Sequence, residues 1–419
     1  MTKFICHDPD RIIWVRCPIG SNMYQIIHQV LIFHLSSCTS KSHVCTICTK
    51  KTIFGTYKCF MGQNTPQFIL NKLPVSIDKV ETIATLKASA KAMRALGELK
   101  GVAQSIPNQS MLVNAAVLQE SKDSSEIENI ITTQDELYKA LSTNKIVNSA
   151  VKEVVNYRKA IFFGFDLIKE KGFIRFSDLN DIQSIIVENN AGVRSTPGTV
   201  LKNDKTGEVV YIPPQSKDEI LELLTNFLDH FNTESDVQLL INLAVLHFQF
   251  ESIHPYYDGN GRTGRILNIL FLILNDLLDI PILYLSSYII DHKPDYYRLL
   301  NQVNRTGEWE EWILYILKAV EETSNNTVQK INSIKKLLGD TIEMVKEKAP
   351  KVYRKELIEL LFEQPYSKID YVIEKIGVER KAASRYLKEL ESIGVLKSIK
   401  MGRQVIYVNE DLIEILRRD

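Results

Sequence analysis

Cysteine stops at residue 59. All six cysteines of the 419-residue chain (Cys6, Cys17, Cys38, Cys45, Cys48 and Cys59) fall in its first 60 residues. The rest therefore holds no disulfide framework and no thiolate metal site. Net charge is missing too: 51 basic side chains balance 51 acidic ones, which excludes a global pull toward nucleic acid or an anionic membrane. A membrane-length apolar run is also lacking. The longest candidate, Ile266 to Leu285, is interrupted by Asn268, Asn275, Asp276, Asp279 and Pro281 and reads as a core helix with a turn. No secretory leader is expected, because Met23 to Leu35 is broken by Gln25, His28, Gln29 and His34. What remains is a 45% apolar chain of ordinary soluble composition. It is long enough for two or three domains and is expected in the cytoplasm, with reduced thiols and no membrane partner.

Residues 1–60 stand apart. Cys45-x-x-Cys48, with His34, Cys38 and His43 nearby, can be written as a zinc site, but a structural site usually needs two well-spaced ligand pairs and one is clear. The segment shows no helical or strand periodicity. The preferred reading is an upstream extension ahead of a natural start at Met61; a small native appendage, disorder or a zinc knuckle are the alternatives.

The informative stretch is His254-Pro255-Tyr256-Tyr257-Asp258-Gly259-Asn260-Gly261-Arg262-Thr263-Gly264-Arg265. Apolar runs on either side read as buried helices, so this is a polar loop running into a helix N-terminus. Backbone N–H groups of the Gly259-Asn260-Gly261 turn form an anion cradle there. Arg262 and Arg265 add forked donors that suit phosphate oxygens. Asp258 is a hard oxygen ligand suited to Mg²⁺ carried by phosphates. His254 is placed to take a proton from a hydroxyl. One histidine, or one Gly-Asn-Gly turn, would ordinarily be packing or a bend; their concentration in one loop points to phosphate-transfer chemistry with its own base.

These residues resemble the Fic family signature, His-Pro-Phe-x-(Asp/Glu)-Gly-Asn-Gly-Arg-x-x-Arg, with Tyr256 in place of the usual Phe. The likeness runs from about Met61 to Glu321. It implies a mainly α fold: a Fic-type helical bundle with a small β-hairpin flap. It also implies AMP transfer from ATP, with Mg²⁺, to a hydroxyl side chain of a target protein or of the chain itself. On that basis His254 is the catalytic base and Asp258 the metal ligand. Gly259, Asn260, Gly261, Arg262 and Arg265 hold the nucleotide. A looser family pattern adds Tyr297 and Asn304 as an adenosine pocket, although core packing suits Tyr297 almost as well.

Ser124-Ser125-Glu126-Ile127-Glu128-Asn129 matches the family's inhibitory pattern, (Ser/Thr)-x-x-x-Glu-(Gly/Asn). The i,i+4 spacing puts Ser124 and Glu128 on one helix face. Read alone, the stretch is a cap, with Ser124 as N-cap and acids in the first turn. Beside the transferase motif, the resemblance implies that Glu128 pairs with Arg265 where a γ-phosphate should sit. A deadenylylating variant, with Glu128 positioning water, is the alternative direction. A nucleotide-sensing regulator bound to DNA is the alternative class.

Five segments are expected: 1–60 as above; 61–150, an N-terminal helical region carrying the inhibitory helix; 151–322, the catalytic core; 323–349, a helical linker with a break at Asn325-Asn326; and 350–419. Between 199 and 212, β-branched runs around Asn203-Asp204-Lys205-Thr206-Gly207 read as a hairpin. Its edges suit β-augmentation by an extended target segment, and the resemblance makes it the family's flap. Gly192-x-Arg194 just before it also fits the family. His247 reads as a core histidine. Beyond Pro350, a helix, a helix-turn-helix pattern and a hairpin over 395–408 make a winged helix. Residues 378–408 carry seven basic side chains against three acidic ones, so DNA is one expected partner and a docked protein another. A homodimer is compatible with the chain.

Overall fold

The computed structural model describes residues 70–417 apart from 107, 144–145, 147, 203–208 and 402–403, together with four strands within the first 60. The chain divides into two compact units, 1–67 and 68–419. The first contains β1 (Phe4–Asp8), β2 (Arg11–Val15), β3 (Val44–Thr49) and β4 (Thr52–Lys58) in an antiparallel sheet of order β2-β1-β3-β4. The sequence reading found no strand periodicity here. β-branched and aromatic content (Val44, Thr46, Ile47, Ile53, Phe54, Tyr57) favours strands without strict alternation. His34, Cys38 and His43 of the cluster weighed for zinc lie outside the described residues.

The second unit is helical except for two small sheets. Its first helices are α1 (Ile77–Val80), α2 (Ile83–Gln104), α3 (Gln109–Ile127), α4 (Gln134–Thr143), α5 (Ser149–Lys171) and α6 (Phe176–Val187). β5 (Leu201–Lys202) and β6 (Val209–Tyr211) then pair antiparallel as the expected hairpin, shorter than the sequence suggests; its turn, 203–208, lies outside the described residues. Next come α7 (Lys217–Asn232), α8 (Leu239–Ile253), α9 (Asn260–Leu274), α10 (Leu285–Asp291), α11 (Lys293–Thr306) and α12 (Glu310–Lys348). Helix α8 is buried from Leu240 to Ile253 and α9 from Arg262 to Ile273. Helices apolar all round belong in a core, and these two pack together at its centre. His247 is buried as expected, donating to or accepting from Tyr296 Oη at 3.0 Å and stacking on Trp312.

Two boundaries differ from expectation. Helix α3 continues through the stretch read as a cap to Ile127, so Ser124 lies in its last turn and Glu128 is its C-cap. Ser124 is therefore not an N-cap. The stretch after α9 forms two helices, α10 and α11, parted at His292 with Pro294 in the first turn of the second. Asn325 and Asn326 break nothing: α12 runs 39 residues without interruption. Thr323, Ser324, Thr327, Val328, Ile331, Ile334 and Leu338 are buried along it where it packs on α2, and tertiary burial overrides the weak propensity of two asparagines.

After α12 come α13 (Lys355–Glu363), β7 (Tyr366–Lys368), α14 (Ile369–Ile376), α15 (Arg380–Ser392), β8 (Lys397–Met401), β9 (Gln404–Val408) and α16 (Glu410–Arg417). The strands form a sheet of order β7-β9-β8, giving the helix–strand–helix–helix–hairpin sequence of a winged helix plus a closing helix. Residues 402–403 of the wing tip are outside the described residues. This part is not detached from the rest. Tyr366 stacks on Tyr138 of α4 at 5.2 Å between ring centroids, and α13 packs on α3. Among the described residues no helix is long and apolar enough to cross a membrane.

Candidate active site

The loop between α8 and α9 is shaped by its backbone. His254 ends α8 in the left-handed region (φ 48°), donating its N–H to the Phe250 carbonyl at 3.1 Å. Few non-glycine residues adopt this conformation, and they concentrate at functional sites. Arg194, fully buried, holds it there: its Nε donates to the His254 carbonyl at 2.7 Å, and its own N–H donates to the Pro255 carbonyl at 3.0 Å. Asn260 clamps the other side. Its Oδ1 accepts the Tyr256 N–H and its Nδ2 donates to the Tyr256 carbonyl, both at 2.8 Å. The Asn260 side chain is thus spent on shaping the loop. Tyr256, which replaces the family's usual Phe, is buried and donates its hydroxyl to Asn180 Oδ1 at 2.9 Å.

Gly259 caps α9 with φ +80°, and a Cβ there would meet Val187 Cγ1 at 2.9 Å. Only glycine satisfies both conditions. Beyond it, the N–H groups of Asn260, Gly261 and Arg262 open α9 before any intrahelical acceptor exists, so this end favours an anion. Asp258 lies exposed at the rim; its Oδ1 accepts from the Gly259 N–H at 2.6 Å and from Arg262 at 3.2 Å. Arg262 is buried and also donates to Glu153 of α5 at 2.9 Å.

Arg265 is buried, and α3 meets it. Its Nε donates to Ser124 Oγ at 2.7 Å, and Nη2 donates to the Ser124 carbonyl at 2.9 Å and to Glu128 Oε1 at 2.7 Å. A Cβ on Gly261 would collide with that same Glu128 oxygen and come within 2.9 Å of Arg265 Nη1. Burial pushes the Glu128 carboxyl up, but Arg265 outweighs it and holds the group below its ordinary value. Asn129 follows Glu128 with φ 63°, turning the chain off the helix. Two further carboxyls flank Arg265. Burial raises Glu120 of α3 and Glu251 of α8 to about 7 each. The His254 imidazole is driven the other way, down to about 4, by burial and then by Arg194. It is therefore neutral near pH 7, the state a general base requires.

The remaining expected residues divide. Tyr297 is half exposed on α11, packed edge-on against Tyr296 at 5.2 Å. Asn304 is buried; its Nδ2 donates to the Leu300 carbonyl at 3.1 Å and its Oδ1 accepts from Ser252 at 3.3 Å. Here its amide is engaged inside the fold. Three residues escaped the sequence reading: Glu153, Gln183, whose Nε2 donates to the Asp258 carbonyl at 2.9 Å, and Tyr257. Glu153 and Gln183 sit on other helices with nothing in their local pattern to mark them. Hydrogen bonds from the Ser195 and Thr196 hydroxyls, then from their N–H groups, pull the exposed Tyr257 phenol down to about 7.

For a cation the loop offers one outward carboxylate, that of Asp258. Mg²⁺ commonly binds through one or two carboxylates plus substrate phosphates. Asp258 beside the α9 N-terminus suits that arrangement, and no cluster of three or more His, Cys, Asp or Glu ligands occurs among the described residues.

Comparison with known proteins bears on the whole loop. The profile described as "Fic/DOC family" matches residues 173–272, and "Fic/DOC family N-terminal" matches 86–166. This is a Fic-family chain. A third profile, "Protein adenylyltransferase SoFic-like, C-terminal domain", matches 337–412. Protein adenylyltransferase Fic of Nematostella vectensis is 31% identical over 116 residues, which is 27% of this chain and 25% of that protein. Protein adenylyltransferase fic-1 of Caenorhabditis elegans is 28% identical over 110 residues, 26% of this chain and 20% of that protein. The matches thus span a quarter or less of these curated relatives. A Fic family protein from Desulfovibrio desulfuricans G20 shares the fold, with TM-score 0.52 at 18% identity over 81% of this chain and 98% of that one. In this Fic chain, the Arg194 segment meets the motif at His254, and α3 meets it at Arg265.

Proposed function

We propose that this Fic chain transfers AMP from ATP to a hydroxyl side chain of a target protein or of itself, and that Glu128 restrains it. The reading is carried by one observation: Arg265, the last arginine of an anion-binding loop, is held by Glu128 at 2.7 Å. A carboxylate on that guanidinium occupies a phosphate's place. In the transfer, the acceptor oxygen attacks the α-phosphorus, the bond to the β-phosphate breaks and pyrophosphate leaves. His254 takes the hydroxyl proton. The α9 N-terminus, Arg262 and Arg265 hold the phosphates in a fixed field, which is where most stabilisation of phosphoryl-type transfer arises. Asp258 would hold Mg²⁺, which supplies charge neutralisation on the phosphates.

Full-length protein incubated with ATP labelled at the α-phosphate should label itself or a protein in a lysate; release of AMP from a pre-labelled protein, faster than its addition, would favour the deadenylylating direction instead. The pH profile adds a second check. Because burial and Arg194 lower His254 to about 4, the base stays unprotonated as pH falls from 7, and kcat/KM should hold down to about pH 5. A decline centred near 6.5 would show an unshifted histidine and a different environment.

The winged helix supports a separate role in partner binding. Lys381, Arg385 and Lys388 are exposed at i, i+4 and i+7 along α15, one face of basic charge suited to phosphates.

A further inference from the structure

The outer face of the catalytic loop carries one side chain that the transfer step does not use. Tyr257 is 53% exposed, so its ring adds little to the core. Its hydroxyl nevertheless accepts the Ser195 N–H at 2.9 Å and the Thr196 N–H at 3.3 Å. Those two residues open the segment that leads into β5, the first strand of the flap. The base of the flap is closed separately by Gln215. Its Oε1 accepts the Gly198 N–H at 2.7 Å, and its Nε2 donates to the Thr199 carbonyl at 3.0 Å. Tyr211 of β6 anchors the return strand, donating its hydroxyl to the Ser252 carbonyl at 3.0 Å. Strands of two and three residues have too little pairing of their own to fix their direction. The orientation of the flap is therefore set by what ties its base to the loop.

We propose that Tyr257 is a positioning residue for the acceptor: its hydroxyl fixes the base of the flap against the catalytic loop, so that an extended target segment paired along the flap presents its hydroxyl to His254. The inference rests on the AMP-transfer reading and adds a residue to it. A phenylalanine at 257 would keep the ring and remove the acceptor. Water can solvate the two exposed N–H groups, so the fold survives, but the direction of the flap is no longer fixed.

Two acceptors separate this role from a general one. When a protein hydroxyl attacks the α-phosphorus, the flap must hold it. When water attacks, the same displacement yields free AMP and pyrophosphate and needs no flap. The experiment uses full-length Glu128→Gly enzyme, Mg²⁺ and labelled ATP, with a tagged full-length His254→Ala copy as the protein acceptor. Tyr257→Phe should lower the ratio of AMP on the acceptor copy to free AMP by about tenfold, the effect of losing one or two ordinary hydrogen bonds. KM for the acceptor copy should rise more than KM for ATP, and the Ser195 and Thr196 amides should exchange faster with deuterium. An unchanged ratio, or an equal fall in both products, overturns the inference. A Glu128→Gly parent that forms neither product overturns the transfer reading first, and this inference with it.

Discussion

Glu128→Gly is expected to raise AMP transfer, read as auto-modification with labelled ATP, by roughly tenfold to a hundredfold. The expectation follows from the contact Glu128 makes. Its carboxylate accepts a charge-assisted hydrogen bond from buried Arg265 at 2.7 Å, an interaction of about 1.5–3 kcal/mol. On the proposed reading, nucleotide displaces that carboxylate to place its terminal phosphate on the arginine. Two features argue against a purely structural role for Glu128. It sits at the C-terminal end of α3, where the helix dipole disfavours an acid. It also rests on Gly261, where any side chain would collide with it. Removing it takes away the carboxylate hydrogen-bonded to buried Arg265 and leaves Ser124 as its hydrogen-bond acceptor, and breaking a buried pair in this way is costly. The variant should therefore melt lower than the parent without nucleotide and recover most of the loss with Mg²⁺ and ATP. Arg265→Ala in the same chain should cancel the gain in transfer. Unchanged rates of both AMP addition and AMP removal in Glu128→Gly would make α3 a structural helix only.

In the Glu128→Gly background, His254→Ala should lower transfer by about 10²–10⁴-fold, the usual contribution of a positioned general base, while ATP affinity changes little. The groups proposed to hold phosphate are the α9 N-terminus, Arg262 and Arg265, whereas His254 is hydrogen-bonded to Arg194 and Phe250. Alanine is strained at φ 48°, so a loss of activity could come from a distorted loop. His254→Asn guards against this, since asparagine tolerates the left-handed region but has no basic nitrogen. Both variants should be inactive, and both should show the parent's ATP affinity by calorimetry. Transfer at the parent rate by either one would remove His254 from the role of base.

The identity of the loop residues was legible in the sequence because their chemistry is local. Glycines, an acid, a histidine and two arginines within one stretch between apolar helices report phosphate chemistry whatever surrounds them. The same holds for the apolar runs of α8 and α9, which are buried because they are apolar all round. The hairpin and the winged-helix order were legible for a similar reason, as their signals repeat over short distances. The sequence did not reveal where α3 ends. Residues 121–128 have a cap-like composition that fits either end of a helix, and burial of Ser121, Ser124, Ser125 and Ile127 decided it. Nor could it place Asn325 and Asn326, whose poor propensity was overridden by the stripe that α12 buries on α2. The pairing of Glu128 with Arg265 was foreseen only through the family resemblance, while the bonds from Arg265 to Ser124, Glu153 behind Arg262, and Tyr257 beneath the base of the flap are decisions of tertiary structure alone. Each depends on which faces of distant helices come together, and a one-dimensional pattern holds no term for that.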